Sequence, residues 1–277
     1  MTPQPGTPQP GTPLTQKLAK LVQLSADEAA VLADLQGAPR PVPRNRELVS
    51  EGRRYDELLI LIDGVALRYS VLKDGRRQIL NVVLPGDFIG FPGCLFETAL
   101  YSITALTDTV VSAVPFARLF GLFERQPRLA AAVFWLFACE AAMYAEHLVT
   151  VGRRSALERC AHFLLELLFR LQAIGRADEN SFQMPLTQEV IADALGLTAQ
   201  HVNRTLRQLR EDGLIGMDGS TVAIRDFDAL AALADFDKSY LSRFHLETLI
   251  APEHRDPAAE PDVDHSFGSK TSDAAGR

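Results

Sequence analysis

Hydrophobic residues between positions 40 and 118 occur in short runs rich in valine, isoleucine and leucine, and turn signals separate the runs. Two of these signals are Asp63-Gly64 and Asp74-Gly75. Asp-Gly pairs tolerate the positive φ angles that tight hairpin turns require. Several short strands with regularly spaced turns predict a small antiparallel barrel or jelly roll.

A helical pattern follows Arg118. From Leu129 to Val151 the chain has no glycine or proline, and hydrophobic residues recur at alternating intervals of four and three, as in a coiled-coil seam. The predicted seam contains Ala130, Phe134, Phe137, Ala141, Tyr144, Leu148 and Val151. A second apolar stripe lies beside it, at Trp135, Cys139 and Ala142.

A helix that is apolar on two faces needs two partners. We expect one face to pack on the barrel and the other on the same helix of a second subunit. A single buried helix inside a monomer is the alternative. Gly152 can end this helix, and Ser155 with Glu158 three residues later forms a capping box for the next one. The sequence therefore predicts a hinge between two domains at this break.

The segment PLTQEVIADALGLTAQHVNRTLRQLREDGLI (185–215) predicts a helix-turn-helix. Thr187 and Thr198 are suitable N-cap residues for two successive helices. Gly196 tolerates a left-handed turn between them. The small side chain of Ala192 lets the second helix pack closely on the first.

The second of these helices is expected to present a cationic polar face. If Val202, Leu206 and Leu209 point inward, the outward residues are Ala199, Gln200, Asn203, Arg204 and Arg207. Amide and guanidinium groups match the base edges of adenine and guanine, so the predicted base readers are Gln200, Asn203 and Arg204. Hydroxyl groups, cations and helix N-termini bind phosphates, so the predicted backbone contacts are Thr187, Thr198, His201, Arg207 and Ser220. Arg210 is interpreted as part of a solvated helix face.

Residues 214–226 (LIGMDGSTVAIRD) predict a strand, a turn at Asp218-Gly219 and a second strand. Together with the helix-turn-helix, this hairpin predicts a winged DNA-binding domain. A dimer would place two such domains on successive major-groove faces, so the expected partner is double-stranded DNA with an inverted-repeat operator.

The net charge of −7 does not exclude DNA as a partner. Residues 226–277 hold 11 acidic and 5 basic side chains, so most of the acidic excess lies at the C-terminal end. DNA responds to local charge within a Debye length of ~8 Å.

The N-terminus lacks the basic and apolar segments of a signal peptide. The apolar run Leu129–Cys139 is too short to span a bilayer. The predicted location is cytoplasmic, without membrane contact.

The predicted fold class is α+β, with five regions along the chain. They are a disordered leader containing TPQPG repeats (1–13), a sensor barrel (14–125), a dimerisation helix and hinge (126–153), a winged helix-turn-helix domain with a C-terminal extension (154–250) and a disordered tail (251–277).

The segment PGDFIG (85–90), the capping-box hinge and the helix-turn-helix segment together resemble the cyclic-AMP receptor protein/fumarate-nitrate regulator (CRP/FNR) superfamily of bacterial transcription factors. The resemblance covers residues 25–226. It implies a cyclic-nucleotide-binding-like barrel, a homodimer, an unknown small-molecule or redox effector at the barrel, and contact with RNA polymerase.

The residues that hold cyclic AMP in this family differ here. Family members that bind it carry a glutamate directly after the GDFIG-like segment and an Arg-Ser pair further along. Phe91 and Tyr101-Ser102 occupy those positions in this chain. Without the guanidinium, the phosphate charge would be uncompensated in a partly buried site, at a cost on the order of several kcal/mol. We therefore expect a degenerate effector pocket that does not bind cyclic AMP in the usual way.

The recognition-helix pattern also differs from the family's common Glu-x-x-Ser-Arg. This chain has Gln200-x-x-Asn203-Arg204, so the operator sequence is expected to differ.

The sequence predicts no cofactor, no metal site and no catalytic residue. The iron–sulfur branch of the family needs clustered N-terminal cysteines, whereas the first cysteine here is Cys94. The haem branch generally uses a barrel histidine, and no histidine precedes His147. The same absence argues against a metal-dependent jelly-roll enzyme, which needs converging imidazoles and a carboxylate. A winged-helix scaffold protein without DNA readout is the remaining alternative.

Three widely spaced cysteines are typical of a reducing compartment rather than of a disulfide framework. Cys139 and Cys160 lie in apolar helical segments and are predicted core residues. Cys94, in the loop GFPGCLF, is the candidate for a redox role. His162 is interpreted as a packed or surface histidine.

Overall fold

The structure, a computed structural model, describes residues 11–19 and 22–241. Its N-terminal half contains α1 (Pro13–Ala19), α2 (Ala26–Leu35), β1 (Arg40–Val42), β2 (Glu47–Val49), β3 (Glu57–Asp63), β4 (Ala66–Val71), β5 (Arg77–Val83), β6 (Phe88–Ile89), β7 (Ser102–Ala105) and β8 (Thr109–Pro115). Its C-terminal half contains α3 (Phe116–Arg125), α4 (Pro127–Arg153), α5 (Ala156–Ala173), β9 (Ser181–Gln183), α6 (Gln188–Leu195), α7 (Ala199–Glu211), β10 (Ile215–Asp218), β11 (Thr221–Ile224) and α8 (Phe227–Ala234).

Two antiparallel four-stranded sheets form the barrel, in the orders β1-β8-β3-β6 and β2-β7-β4-β5. Leu59 and Leu61 on one sheet and Ile103 on the other are buried in a single cluster. Successive residues of a strand point to opposite faces, so residues two apart share the inner face. The predicted jelly roll is confirmed.

Two turn glycines of the barrel offer a matched stability test. Gly64 and Gly75 both have φ +87°. A Cβ atom on Gly64 would lie 2.5 Å from the Asp108 carbonyl oxygen, whereas one on Gly75 would meet nothing within 4 Å. We expect Gly75→Ala to cost about 1 kcal/mol of left-handed backbone strain. We expect Gly64→Ala to cost about 2–3 kcal/mol because overpacking is added. Urea unfolding of both variants measures the two losses, and equal losses would contradict this account.

The long helix α4 lies along the barrel. Leu129, Val133 and Leu136 on its inner face share a buried cluster with Leu58 and Phe88 of the barrel. These contacts remove one apolar face of the helix from water. The expected packing of α4 on its own barrel is therefore present.

The break after α4 differs slightly from the prediction. The helix passes through Gly152 and ends at Arg153, and Arg154 then adopts an extended conformation. Gly152 therefore does not end the helix, because a glycine within an α-helix weakens it without forcing a break. The predicted capping box is present, since Ser155 Oγ accepts from the Glu158 amide and the Glu158 carboxylate accepts from the Ser155 amide.

By length and composition, α4 could cross a membrane, with a mean hydropathy of 1.4 over its most apolar window. The run Leu129–Cys139 is shorter than a bilayer span, so this property of the whole helix was not predicted. Two acidic residues of α4 form ion pairs with the rest of the protein, Glu140 with Arg68 and Glu146 with Arg154. These pairs and the barrel contacts identify α4 as a packed helix of the folded domain.

The C-terminal domain combines α5–α8 with a small antiparallel sheet of order β10-β11-β9. Leu164, Leu168, Val202, Leu206 and Val222 belong to its buried cluster. The predicted helix-turn-helix and wing are both present. The third strand, β9, was not predicted.

The C-terminal domain packs directly on the barrel hairpin. Arg77 Nη2 of β5 lies 2.8 Å from Asp193 Oδ2 of α6. The Gln78 side-chain amide donates to the Ala194 carbonyl at 3.0 Å. We refer to this contact between β5 and α6 as the hairpin clamp.

At the N-terminal end, α1 begins at Pro13, so the last residue of the predicted 1–13 leader is helical. The Thr12 hydroxyl accepts a hydrogen bond from the Thr15 amide there. Proline is favourable in the first turn of a helix, where its missing amide proton has no partner to lose. Residues 1–10, 20–21 and 242–277, including the predicted tail 251–277, lie outside the described residues.

Candidate nucleic-acid interface and effector pocket

The two helices of the helix-turn-helix are capped as the sequence predicts. Thr187 Oγ1 accepts from the Val190 amide at 3.3 Å, and Thr198 Oγ1 accepts from the His201 amide at 3.2 Å. Gly196 adopts the left-handed conformation, with φ 64° and ψ 37°. Each threonine hydroxyl uses an oxygen lone pair for its cap, so its proton can still be donated to a phosphate oxygen.

The helix α7 buries one face and exposes a polar one. Val202, Leu206 and Leu209 are buried in the domain core. The exposed side chains of this helix include Gln200, Asn203, Arg204, Arg207 and Arg210, whereas His201 is half-buried. The three predicted base readers therefore share one solvent-facing surface near the helix N-terminus.

Two residues of this surface already have side-chain partners. Asn203 Nδ2 donates to Gln188 Oε1 at 3.1 Å. Arg207 Nε donates to Glu211 Oε1 at 2.7 Å. Gln188 is the first residue of α6 and was missed by the sequence analysis. Its place directly after the predicted cap Thr187 is the feature of the sequence that could have identified it.

The wing turns at Asp218-Gly219, where Gly219 has φ 57°. Ser220 Oγ donates to Gln183 Oε1 at 2.8 Å. Gln183 Nε2 in turn donates to Thr221 Oγ1 at 2.8 Å. The predicted phosphate contact Ser220 is thus positioned by β9, the strand that the sequence analysis did not find.

The predicted effector-pocket positions make contacts within the protein. Phe91 stacks on Phe137 of α4, with ring centroids 3.7 Å apart. The Tyr101 hydroxyl donates to the Phe91 carbonyl oxygen. Ser102 Oγ accepts from the Glu51 amide at 3.0 Å. Aromatic packing therefore joins the pocket loop to the long helix.

Arg68 of β4 lies beside these residues and was not among the predicted site residues. It is completely buried, and its guanidinium donates to Glu140 and Tyr144 of α4. It also lies over the Tyr101 ring, 4.7 Å from its centroid. Burial lowers the pKa of Arg68, but Glu140 and the tyrosine oxygens outweigh this effect and raise the pKa above its ordinary value. The ion pair between Arg68 and Glu140 therefore lies at the junction of the barrel and α4.

Phe137 and Tyr144 of the predicted dimer seam contact the barrel in the single chain, since Phe137 stacks on Phe91 and Tyr144 accepts a hydrogen bond from Arg68. We therefore place the proposed seam on the side chains of α4 that are exposed. The exposed stripe of α4 instead contains Phe134, Ala138, Ala141, Ala145, Leu148 and Gly152. Phe134 is 61% exposed and Leu148 71% exposed. Val151 is only half-buried and Ala130 is buried. We refer to the six residues of the exposed stripe as the α4 stripe.

The remaining predicted candidates have varied surroundings. Cys160 is a core residue, and burial raises the pKa of its thiol to about 12. His162 is packed, with Nε2 3.2 Å from Glu146 Oε1. Cys139 is half-buried. Cys94 lies in a 3-10 turn, Gly93–Leu95, but its side chain is not among those described.

Within residues 11–19 and 22–241, no three His, Cys, Asp or Glu side chains are grouped to hold a metal ion.

Each half of this architecture matches a known protein family. The cyclic nucleotide-binding domain family matches residues 39–126, and the Crp-like helix-turn-helix domain family matches residues 158–233. The nitrogen fixation regulation protein FixK of Azorhizobium caulinodans is 34% identical over 210 residues, which cover 76% of this chain and 84% of that protein. The chain belongs to the CRP/FNR superfamily.

Other CRP/FNR proteins are similar over comparable lengths. The transcriptional activator protein FnrL of Cereibacter sphaeroides is 28% identical, covering 79% of this chain and 89% of that protein. The structure of FixK2 from Bradyrhizobium japonicum gives a TM-score of 0.64 at 29% identity, covering 71% of this chain and 96% of that chain. This CRP/FNR chain is a transcription regulator with a helix-turn-helix DNA-binding domain.

Proposed function

We propose that the protein is a homodimeric, sequence-specific regulator that recognises an inverted-repeat operator through α7. One observation supports this proposal above all. Gln200, Asn203 and Arg204 share an exposed face at the start of α7, and no acidic side chain precedes Glu211 on that helix. Paired donors and acceptors on such a face match base edges in the major groove.

Phosphate contacts would fix the position of this helix on the duplex. Thr187 and Thr198 supply hydroxyl groups beside helix N-termini, and Ser220 supplies one from the wing. His201 and Arg207 complete the proposed set. Arg207 must exchange its pairing with Glu211 for a phosphate oxygen, a modest cost because an exposed ion pair contributes only about 0.3–0.5 kcal/mol.

Dimerisation is proposed through the α4 stripe. Exposed apolar side chains repeat along it at coiled-coil spacing, and an apolar stripe of this length favours burial against a partner. A second copy of the same helix provides the same stripe, so a two-fold interface is self-complementary. Two DNA-binding domains would then face two half-sites. In the cytoplasm, bound regulator would contact RNA polymerase, as the family resemblance implies.

A gel shift with the DNA upstream of the protein's own gene tests the proposal. A shift that survives excess nonspecific competitor supports sequence-specific binding. If specific and random DNA bind equally weakly, the scaffold alternative becomes the better account.

Cyclic AMP is expected not to bind in the usual way. Phe91 and Phe137 are stacked at the pocket position, and Arg68 is held by Glu140 and Tyr144. Freeing that guanidinium for a ligand phosphate would leave the Glu140 charge unpaired, which costs about 3–5 kcal/mol. Isothermal titration calorimetry should show no binding at micromolar ligand. Micromolar affinity together with tighter operator binding would refute the proposed degenerate pocket.

A further inference from the structure

A cavity of about 600 Å³ lies where the barrel, α4 and the C-terminal domain meet. Its walls are formed by the β5–β6 loop (residues 84–87), Phe88 of β6, one side of α4 and the C-terminal end of α5. Lys17 of α1 and Lys238, which follows α8, complete the lining. We refer to this space as the junction cavity. Its volume is within the range of roughly 300–1,000 Å³ that is typical of small-molecule pockets.

The junction cavity is mainly apolar. Leu136 and Met143 of α4 line it, as do Phe169 and Ile174 of the α5 region. Cys139 also lines the cavity, and burial raises the pKa of its thiol, so this group is neutral. Such walls accommodate an aliphatic or aromatic body.

The charged groups of the lining leave one cation available. Asp87 accepts hydrogen bonds from Lys17, from Arg170 and from the Leu84 amide. The other lining carboxylate, Glu140, is paired with Arg68.

Lys238 is exposed and lies 5.4 Å from the centroid of the Phe169 ring, and no carboxylate among the described residues pairs with it. When the partners of the lining residues are counted as well, Asp87, Glu140 and Glu166 balance all but one of the cations, which are Lys17, Arg68, Arg170 and Lys238. An excess of one positive charge is left.

From this arrangement we infer that the junction cavity binds an amphipathic monoanion. The apolar body would pack between α4 and α5, and its carboxylate would pair with Lys238. Phe91, Tyr101 and Ser102 of the degenerate effector pocket do not line the junction cavity, although Phe137 and Glu140 border both sites.

A ligand here would contact the barrel loop, α4 and α5 together. It would therefore stabilise the packed arrangement of the two domains over any arrangement that separates them. Its consequence for operator affinity rests on the proposed function, but the binding itself does not.

The test uses the full chain without DNA. A fluorescent fatty acid, dansyl-undecanoate, is titrated into the protein and then displaced by dodecanoate or by its neutral analogue dodecanamide. We expect dodecanoate to displace the probe at roughly tenfold lower concentration than the amide, because one charge-assisted contact is lost. Equal displacement by the two compounds would overturn the assignment of an anionic ligand.

Two pairs of variants locate the site. Lys238→Met is expected to weaken dodecanoate binding roughly tenfold, whereas Lys73→Met removes an exposed lysine in a barrel turn and should leave it unchanged. Ala173→Trp fills the cavity and should abolish binding of the probe. Ala30→Trp adds the same side chain to an exposed position of α2 and should not.

Three outcomes would overturn the proposal. They are no probe binding to the wild-type chain, equal affinity in all variants, and binding only to a chain shortened to end at Leu241. Since every measurement is made without DNA, a failed operator shift and an empty junction cavity are separate results.

Discussion

The double substitution Phe134→Glu and Leu148→Glu is expected to convert the dimer to a monomer. Both side chains belong to the α4 stripe and are exposed in the single chain, so the substitutions place charge on the stripe without disturbing the barrel. In the proposed dimer, four carboxylates would be buried without partners, at a cost on the order of several kcal/mol. Sedimentation velocity measures the change in mass, and circular dichroism checks that the monomer is folded.

The matched control is Phe123→Glu. Phe123 is 55% exposed and lies on α3 rather than on α4. This variant should sediment like the wild-type protein. A double variant that is still dimeric, or a control that dissociates equally, would refute the α4 stripe as the interface.

Arg204→Ala is expected to weaken operator binding by about 1–3 kcal/mol per half-site and to relax specificity at one base pair. The physical reason is the loss of a bidentate contact from an exposed guanidinium to a guanine. Selection from a random DNA pool measures the preferred sequence of the wild-type and variant proteins. An unchanged motif would mean that Arg204 does not read a base.

Arg207→Ala is the matched control on the same helix. Removing a phosphate contact should weaken binding to all DNA sequences alike. It should also reduce the slope of log affinity against log salt concentration by about one unit per subunit. The selected motif should be unchanged. Arg210→Ala removes an exposed charge one residue before Glu211 and should have little effect on either measurement.

Local signals in the sequence were sufficient to predict the helix-turn-helix. Thr187, Gly196 and Thr198 each specify a backbone conformation through their own chemistry, and the structure has all three conformations. The jelly roll followed in the same way from its Asp-Gly turns. Signals of this kind involve residues that are close together in the sequence, so a single sequence is sufficient to identify them.

Pairings between distant elements were not predictable from the same patterns. Two apolar stripes run along α4, and periodicity alone does not distinguish the one that faces the barrel. For this reason the predicted seam includes Phe137 and Tyr144, which contact the barrel. Arg68 decides the orientation, because a buried guanidinium on β4 needs Glu140 nearby, but 72 residues separate the two in sequence. Strand β9 was missed because only three residues form it.

The hairpin clamp has a consequence for the DNA that the protein can use. If the hairpin clamp holds α6 on β5, each recognition helix would move with its own barrel, and the two barrels would be joined through α4. The spacing between the two recognition helices would then be set by the protein rather than adjusted to the DNA. Inserting about five base pairs between half-sites turns one of them to the opposite side of the duplex, since a helical turn is about 10–10.5 base pairs. Only operators whose half-sites keep the correct rotational phase would then engage both subunits.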